Sequence, residues 1–312
     1  MVGQKLLSVM AESGATDTWD VVTFCEEPSL AYDRVNLSSF FEGVSAQELS
    51  LVEDGFFDHP AFTIHVGDRA TAVDLAARIV TSEQGRTIRY DKLVFATGSY
   101  PFVPPIPGND AVGAFVYRTL EDLEAIREYA ADRATGVVVG GGLLGLEGAN
   151  ALRALGLRTH VVEFAARLMR VQVDAGRGDV LRARSEELGV TVHTEKQTTE
   201  IVVDASGRVT KMTFADGSEL ETDMIVFSAG IRPRDDLARA CGLVIGERGG
   251  IVIDDNLMTS DPDVFAIGEC ALYDGRIYGL VAPGYEMARA LADGLMGGNT
   301  TFSGADMSTK LK

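Results

Sequence analysis

Two stretches of this chain repeat one another. Residues 85–101 read GRTIRYDKLVFATGSYP and residues 217–233 read GSELETDMIVFSAGIRP, so a Gly, an Asp, an apolar triplet, a second Gly and a Pro recur at a constant offset of 132. A chain of 312 residues has room for two ordinary domains. Self-similarity at this distance points to one supersecondary plan used twice.

Each copy runs the same course. In the second, GVVVGGGLLGLEGANALRALG reads as a buried strand, a glycine turn and a helix, with RTHVVE as the next strand. DVLRARSEELG follows as a helix, residues 190–193 as a strand, 200–214 as strands around the turn DASG, and MIVFSAG as the last strand. In the first copy MVGQKLLSVMAESG is the helix, DVVTFCE the second strand, residues 62–90 the meander and KLVFATG the last strand. An insertion, SLAYDRVNLSSFFEGVSAQELSLV, has no counterpart of that form in the second copy. Apolar strands alternating with amphipathic helices predict an α/β fold with parallel sheets, and the short turn-punctuated strands add an antiparallel meander to each copy. Laying the copies together sets Gly3 on Gly145 and Met1 on Leu143. Nothing in the first copy then answers to GVVVGGG, and the expectation is that the chain begins inside a nucleotide-binding fingerprint.

Gly140-x-Gly142-x-x-Gly145 follows an apolar strand and opens a helix, the context that makes a glycine pattern a credible dinucleotide site. The first Gly permits a tight turn, the second lets backbone approach a pyrophosphate, and the third lets helix pack on strand. Leu143 and Leu144 open the helix, whose N-terminus carries about +0.5 charge and free N–H donors. Glu163 stands 18 residues after Gly145 at a strand end, where an acid accepts from adenosine ribose hydroxyls. A 2′-phosphate there meets like charge, at about 4 kcal/mol for 4 Å and an effective dielectric of 20. This favours NAD(H) over NADP(H), with Arg167 near enough in sequence to soften the preference. A solvated strand-end acid is the competing account of Glu163. Glu26 and Glu27 close the corresponding strand of the first copy, with a plain acidic loop entry as the alternative. Two dinucleotide sites in one chain pair most productively as a flavin beside a nicotinamide.

Composition narrows the field further. With 46 acidic against 28 basic residues and a net charge of −18, the chain lacks the basic clusters that nucleic-acid binding needs. No apolar run approaches a membrane span and no basic-then-apolar leader opens the chain, so the cytoplasm is the expected compartment. Cys25, Cys241 and Cys270 and the four histidines are scattered, with no metal-ligand spacing. A buried structural thiol is the favoured account of Cys270.

YDRVNLSS, ATGSYPFVPPIPG, RTLEDLEAI, VVVGGGLLGLEGANAL, SAGIRP and VFAIGECALYDGRIYGLVAPGYEMA together resemble the FAD-dependent pyridine-nucleotide oxidoreductases. Within them the likeness is nearest to the FAD/NAD(P)H module of the assimilatory nitrite reductase large subunits, GECALYDGRIYGLVAPGYEMA and the closing GADMSTKLK being the more specific stretches. The resemblance implies two Rossmann-like domains, the NAD domain inserted in the FAD domain. Residues 1–112 and 245–312 would form the FAD domain and residues 113–244 the NAD domain. By the internal repeat Gly3, with Glu26 and Glu27, is what remains of a second adenine-dinucleotide site, and the resemblance implies Glu26 and Glu27 at the FAD ribose, Arg34 on the FAD phosphates and Ala70 offering backbone to adenine. It further implies Thr97, Gly98 and Arg118 bordering the flavin, Glu269 on the ribityl chain and Ser39 at a position where wider relatives carry Lys. Glu147 would lie near the nicotinamide amide, as the residue nearest the hydride transfer, and Gly230 beside NAD. A strand and G-x-G are expected to precede Met1, and the chain as written is expected to bind FAD poorly while its second copy binds NADH.

The implied activity is passage of hydride from NADH to FAD and of electrons to an acceptor in another domain or protein, of iron–sulfur or sirohaem type. A homodimer is compatible with the resemblance. The paired cysteines of disulfide-reducing relatives are absent, which removes dithiol chemistry, and three scattered cysteines cannot hold a four-cysteine cluster. Two other readings stand beside this one: a reductase for a separate rubredoxin- or ferredoxin-type carrier, and a non-catalytic NAD-binding remnant.

Overall fold

The computed structural model describes residues 1–307; the last five residues of GADMSTKLK lie outside the described residues. The chain divides into two compact units. Unit 1 holds Met1–Val35, Gln47–Tyr100 and the described chain from Arg232 onward, and unit 2 holds Asn36–Ala46 and Pro101–Ile231. The expected domain boundaries at 112 and 244 fall inside unit 2 and unit 1, and part of the insertion, 36–46, belongs to unit 2.

Unit 2 is built on a five-stranded parallel sheet in the order Val190–His193, Arg158–Val162, Thr135–Val139, Met224–Phe227, Ala114–Val116. All five residues of Thr135–Val139 are buried, as an apolar central strand covered on both faces must be. One face carries the antiparallel meander Thr198–Val203, Val209–Phe214, Glu219–Glu221, whose Ile201, Met212 and Phe214 pack on Val137, Val162 and Phe227. Helix α2 (Leu120–Ala130) starts in a capping box, with Thr119 and Asp122 each accepting from the other's backbone N–H. Helix α3 (Leu143–Ala154) lays Gly145, Gly148, Ala149 and Ala151 inward, small residues that bring its backbone close to the sheet. Helix α4 (Ala175–Glu187) is capped by Asp174, whose side chain accepts from Arg177 N–H.

Unit 1 repeats the plan in part. Helix α1 (Val2–Glu12) buries Leu6, Leu7 and Met10, and its 3.6-residue periodicity is the one read from the sequence. Val21–Phe24 pairs in parallel with Phe62–His65, and Leu93–Phe95 pairs in parallel with Val264–Ala266. Phe62–His65 was expected to open the meander; its parallel partner makes it a third sheet strand, the counterpart of Val190–His193. The meander proper is Ala70–Asp74, Ile79–Ser82, Thr87–Arg89, and its last strand stands 132 positions before Glu219–Glu221. In unit 2 Thr135–Val139 bonds both Arg158–Val162 and Met224–Phe227, whereas in unit 1 the matching strands Val21–Phe24 and Leu93–Phe95 belong to separate two-stranded sheets. Helix α5 (Asp236–Ala240) and helix α6 (Val281–Leu295) complete the unit. α6 lies so close to α1 that a Cβ on Gly284 would stand 2.5 Å from Val2 Cγ2. No helix among the described residues is long and apolar enough to cross a membrane.

A buried carboxylate ties the first meander together. Asp68, only 1 % exposed, accepts from Ser82 Oγ (2.9 Å), the Gln84 N–H (3.0 Å) and Arg86 (2.6 Å). Burial alone would raise its pKa; these three donors outweigh that and hold it below the usual carboxylate value. A depressed folded-state pKa contributes stability above the unfolded value, about 3.9, that is lost as pH falls through the folded one. Asp68→Asn is therefore expected to lower the melting temperature at pH 7, with the gap to the parent narrowing below about pH 4. Thermal melts across pH check this; a gap that stays constant would contradict it.

Candidate functional site

The end of Thr135–Val139 shows why three glycines stand where they do. Gly140 has φ +118°, and a Cβ there would lie 2.2 Å from the carbonyl oxygen of Ser228. A Cβ on Gly145 would lie 2.0 Å from the oxygen of Gly140. Neither approach leaves room for any side chain. Gly142 differs: its backbone is extended, and a Cβ there would meet no atom of the described residues within 4 Å. Gly142 also precedes α3 without giving it a side-chain cap, and Leu143 and Leu144 follow half-buried as its first turn. The protein's own packing thus demands glycine at 140 and 145 but not at 142.

Glu163 closes the other side of this turn. Its Oε2 accepts from the Gly141 N–H (2.6 Å) and its Oε1 from the Ala165 N–H (2.7 Å), so the carboxylate bridges the glycine loop to its own strand end. Backbone bonds from Glu163 N–H to His193 and from Lys196 N–H to Glu163 O fix the segment. Arg167 donates to the carbonyls of Val173 and Arg170 (both 3.2 Å), its guanidinium bound to its own loop. Gly230 is exposed at φ +111°, with no atom of the described residues within 4 Å of where a Cβ would be and its carbonyl bonded to the Phe102 N–H.

Glu147, on the second turn of α3, accepts from Ser38 Oγ at 2.9 Å, and Ser38 Oγ lies 3.0 Å from Tyr117 Oη. Ser38 comes from the 36–46 insertion, which joins unit 2 as a short 3₁₀ helix, Leu37–Glu42. Burial pushes the Tyr117 hydroxyl up to about 12, the Glu147 charge adding to it and the Ser38 bond opposing it. Ser39, the residue singled out from the sequence, turns its hydroxyl to the Asn36 carbonyl (2.6 Å). Arg118, also in unit 2, precedes the α2 cap and donates its N–H to Asp122 (3.1 Å). Ser38 and Tyr117 were not singled out from the sequence, where no local signal marks either as a partner of Glu147.

Unit 1 gathers the other predicted residues. A Cβ on Gly3 would meet Ala96 Cβ at 3.4 Å, so α1 sits tightly on the chain leading to Thr97 and Gly98. The Gln4 side-chain amide, one residue on and buried, has no hydrogen-bond partner for Nε2 among the described residues. Glu27 forms an ion pair with Arg34 and accepts from Tyr32 Oη (2.6 Å). Glu26 pairs with Arg234, which the sequence reading passed over. The Arg234 carbonyl accepts from Thr97 Oγ1 (2.6 Å) and its N–H donates to the Gly98 carbonyl (2.9 Å), so Glu26, Thr97 and Gly98 meet through it. Glu269, in the turn Gly268–Cys270, accepts from Ser99 Oγ at 2.6 Å. Ala70 begins the first meander beside the Asp68 cluster. Cys270 is fully buried and its pKa is raised by that burial, and Cys25 and Cys241 are half-buried free thiols.

Residues 9–290 match the model of a family described as pyridine nucleotide-disulphide oxidoreductase. Over its whole length the chain is 52% identical to the nitrite reductase (NADH) large subunit of Escherichia coli strain K12, of which it covers 37%. It is 56% identical to the nitrite reductase [NAD(P)H] large subunit of Klebsiella oxytoca, of which it covers 32%. The chain therefore spans about a third of the length of these curated relatives. Among solved structures, a ferredoxin reductase from Rhodopseudomonas palustris superposes with a TM-score of 0.90 at 30% identity, over 97% of this chain and 76% of that one. Such neighbours carry two Rossmann-like domains, the α/β class expected from the internal repeat.

The glycine geometry makes a separable prediction. Gly145→Ala is expected to cost about 1–3 kcal/mol of stability through backbone overpacking, whereas Gly142→Ala leaves stability within about 0.5 kcal/mol of the parent. Chemical denaturation of the two variants checks it; equal losses at both positions would contradict the assignment.

Proposed function

The chain belongs to the pyridine nucleotide-disulphide oxidoreductase family and is an FAD-dependent NAD(P)H oxidoreductase module. From that premise we propose that unit 2 binds NADH in preference to NADPH and unit 1 binds FAD. Hydride from the one reduces the other, and electrons then pass to an iron–sulfur or sirohaem-type acceptor held by residues other than these. The observation that carries the reading is the contrast among the three glycines. At Gly142 nothing among the described residues excludes a side chain, so the glycine there is explained by a group that approaches the backbone from outside. A pyrophosphate at an uncapped helix N-terminus is such a group.

The residues present fit both cofactors. Gly142 and the first turn of α3 would receive the NAD pyrophosphate. Glu163 keeps acceptor capacity for ribose hydroxyls, because a carboxylate offers about four lone-pair sites and two are used by backbone. Glu147 would face the nicotinamide carboxamide and Gly230 would flank the nucleotide. In unit 1, Gly3, Glu26, Glu27, Arg34, Ala70, Thr97, Gly98 and Glu269 would hold FAD. The unpartnered Gln4 amide in the first turn of α1 fits a bound group with acceptor oxygens. Bound flavin supplies the two-electron acceptor chemistry; the chain's part is to bind, orient and exclude water. No general acid or base is needed.

The structural likeness to a ferredoxin reductase supports a second reading, in which the acceptor is a separate small iron–sulfur protein. Turnover that falls steeply with salt on adding such a carrier would favour it.

The nucleotide preference follows from Glu163. With the repulsion of a 2′-phosphate halved by solvent to about 2 kcal/mol, NADH should bind roughly 30-fold more tightly than NADPH. In Glu163→Gln the ratio should fall toward unity. Titration of both nucleotides by fluorescence tests this, and equal affinities in the parent protein would overturn the proposed role of Glu163.

A further inference from the structure

We propose that Ser38 and Tyr117 are positioning residues that aim the Glu147 carboxylate at the nicotinamide carboxamide, an inference that rests on the reading of Glu147 given above. Hydrogen-bond directions follow from the inventory of donors. An ionised carboxylate only accepts, so Ser38 spends its single proton on Glu147 Oε2 (2.9 Å). Its oxygen can then only accept, and the group that faces it, Tyr117 Oη at 3.0 Å, must donate. The line Tyr117 to Ser38 to Glu147 is therefore polarised in one direction. Tyr117 keeps its proton throughout the physiological range, since its hydroxyl lies near 12.

The line is also mechanically held. Tyr117 is 2 % exposed and stacks on Phe41 at 6.2 Å between ring centres, and the Arg127 guanidinium lies 4.6 Å from the centre of the Phe40 ring. On the α3 side, an added Cβ at Gly148 would stand 3.7 Å from the Tyr117 ring, so the helix meets the tyrosine one residue beyond Glu147. With Oε2 engaged, no hydrogen bond reaches Oε1 among the described residues, and this oxygen remains as an acceptor for an amide N–H₂. A serine inserted from the first copy thus fixes the rotamer of a glutamate in the second. Fixing it sets the angle at which the carboxamide, and with it the nicotinamide ring, is received.

The test compares NADH with ADP-ribose, which keeps the adenosine and pyrophosphate and lacks the nicotinamide. In Ser38→Ala the affinity for NADH should fall roughly tenfold, the scale of a hydrogen bond to a charged group, with ADP-ribose unchanged within about twofold. Tyr117→Phe, which retains the ring, should move the ratio in the same direction by roughly threefold, and Ser38→Thr should restore it. A merely structural role for these residues would weaken both ligands together and would not be rescued by threonine. If Glu147→Ala lowers NADH affinity relative to ADP-ribose while Ser38→Ala and Tyr117→Phe leave the ratio at the parent value, the positioning role is wrong and the reading of Glu147 stands. If Glu147→Ala also leaves the ratio unchanged, the reading of Glu147 fails and the proposal with it.

Discussion

The close approach of α3 to the end of Thr135–Val139 is the constraint on which the nucleotide site proposed for unit 2 depends. A carbon added at Gly145 would lie 2.0 Å from Gly140 O, and one at Gly140 would lie 2.2 Å from Ser228 O. With both excluded, the helix can seat its first turn directly over the strand end, next to the Gly141 N–H that Glu163 holds. The inward Gly148, Ala149 and Ala151 carry that approach along the helix and bring Glu147 beside Ser38. Unit 1 uses a related device on another pair: α1 presses Val2 against Gly268 and Gly284, the second at the start of α6. In both units, absent side chains set how near a helix can come, and that nearness places the polar groups.

Acidic side chains, so numerous in this chain, serve in several places as backbone anchors. Glu163 accepts from Gly141 and Ala165, Asp68 from Gln84, and Asp235 from the Gly250 N–H at 2.5 Å. Each pins a turn that a ladder bond cannot reach, and each is more than a surface charge. The many exposed ion pairs, such as Arg184 with Glu187 or Lys211 with Glu219, contribute about 0–1 kcal/mol each and carry little of the stability. The electrostatic weight of the molecule therefore lies in a few buried or half-buried carboxylates.

Much of the architecture was legible in the chain because it rests on local signals. The 132-residue offset lands on matched strands, the helices α1 and α3 follow from their apolar spacing and turn residues, and α4 is capped by Asp174. What stayed hidden depends on distant partners. Phe62–His65 carries no mark that tells a parallel strand from a meander strand; only its pairing with Val21–Phe24 decides. Arg234 stands 208 residues from Glu26, and nothing near either residue announces the pair. The 36–46 segment packs in unit 2 through Ser38, Tyr117 and Glu147, a contact across 109 positions that spacing arguments cannot reach.

The central claim is that one chain brings a reducing nicotinamide to a flavin. Its most direct test is the visible absorption spectrum of the FAD-loaded protein before and after adding NADH without oxygen. The account predicts that the flavin bands bleach with one equivalent of NADH. Flavin bands that persist while NADH is shown to be bound in unit 2 would contradict it.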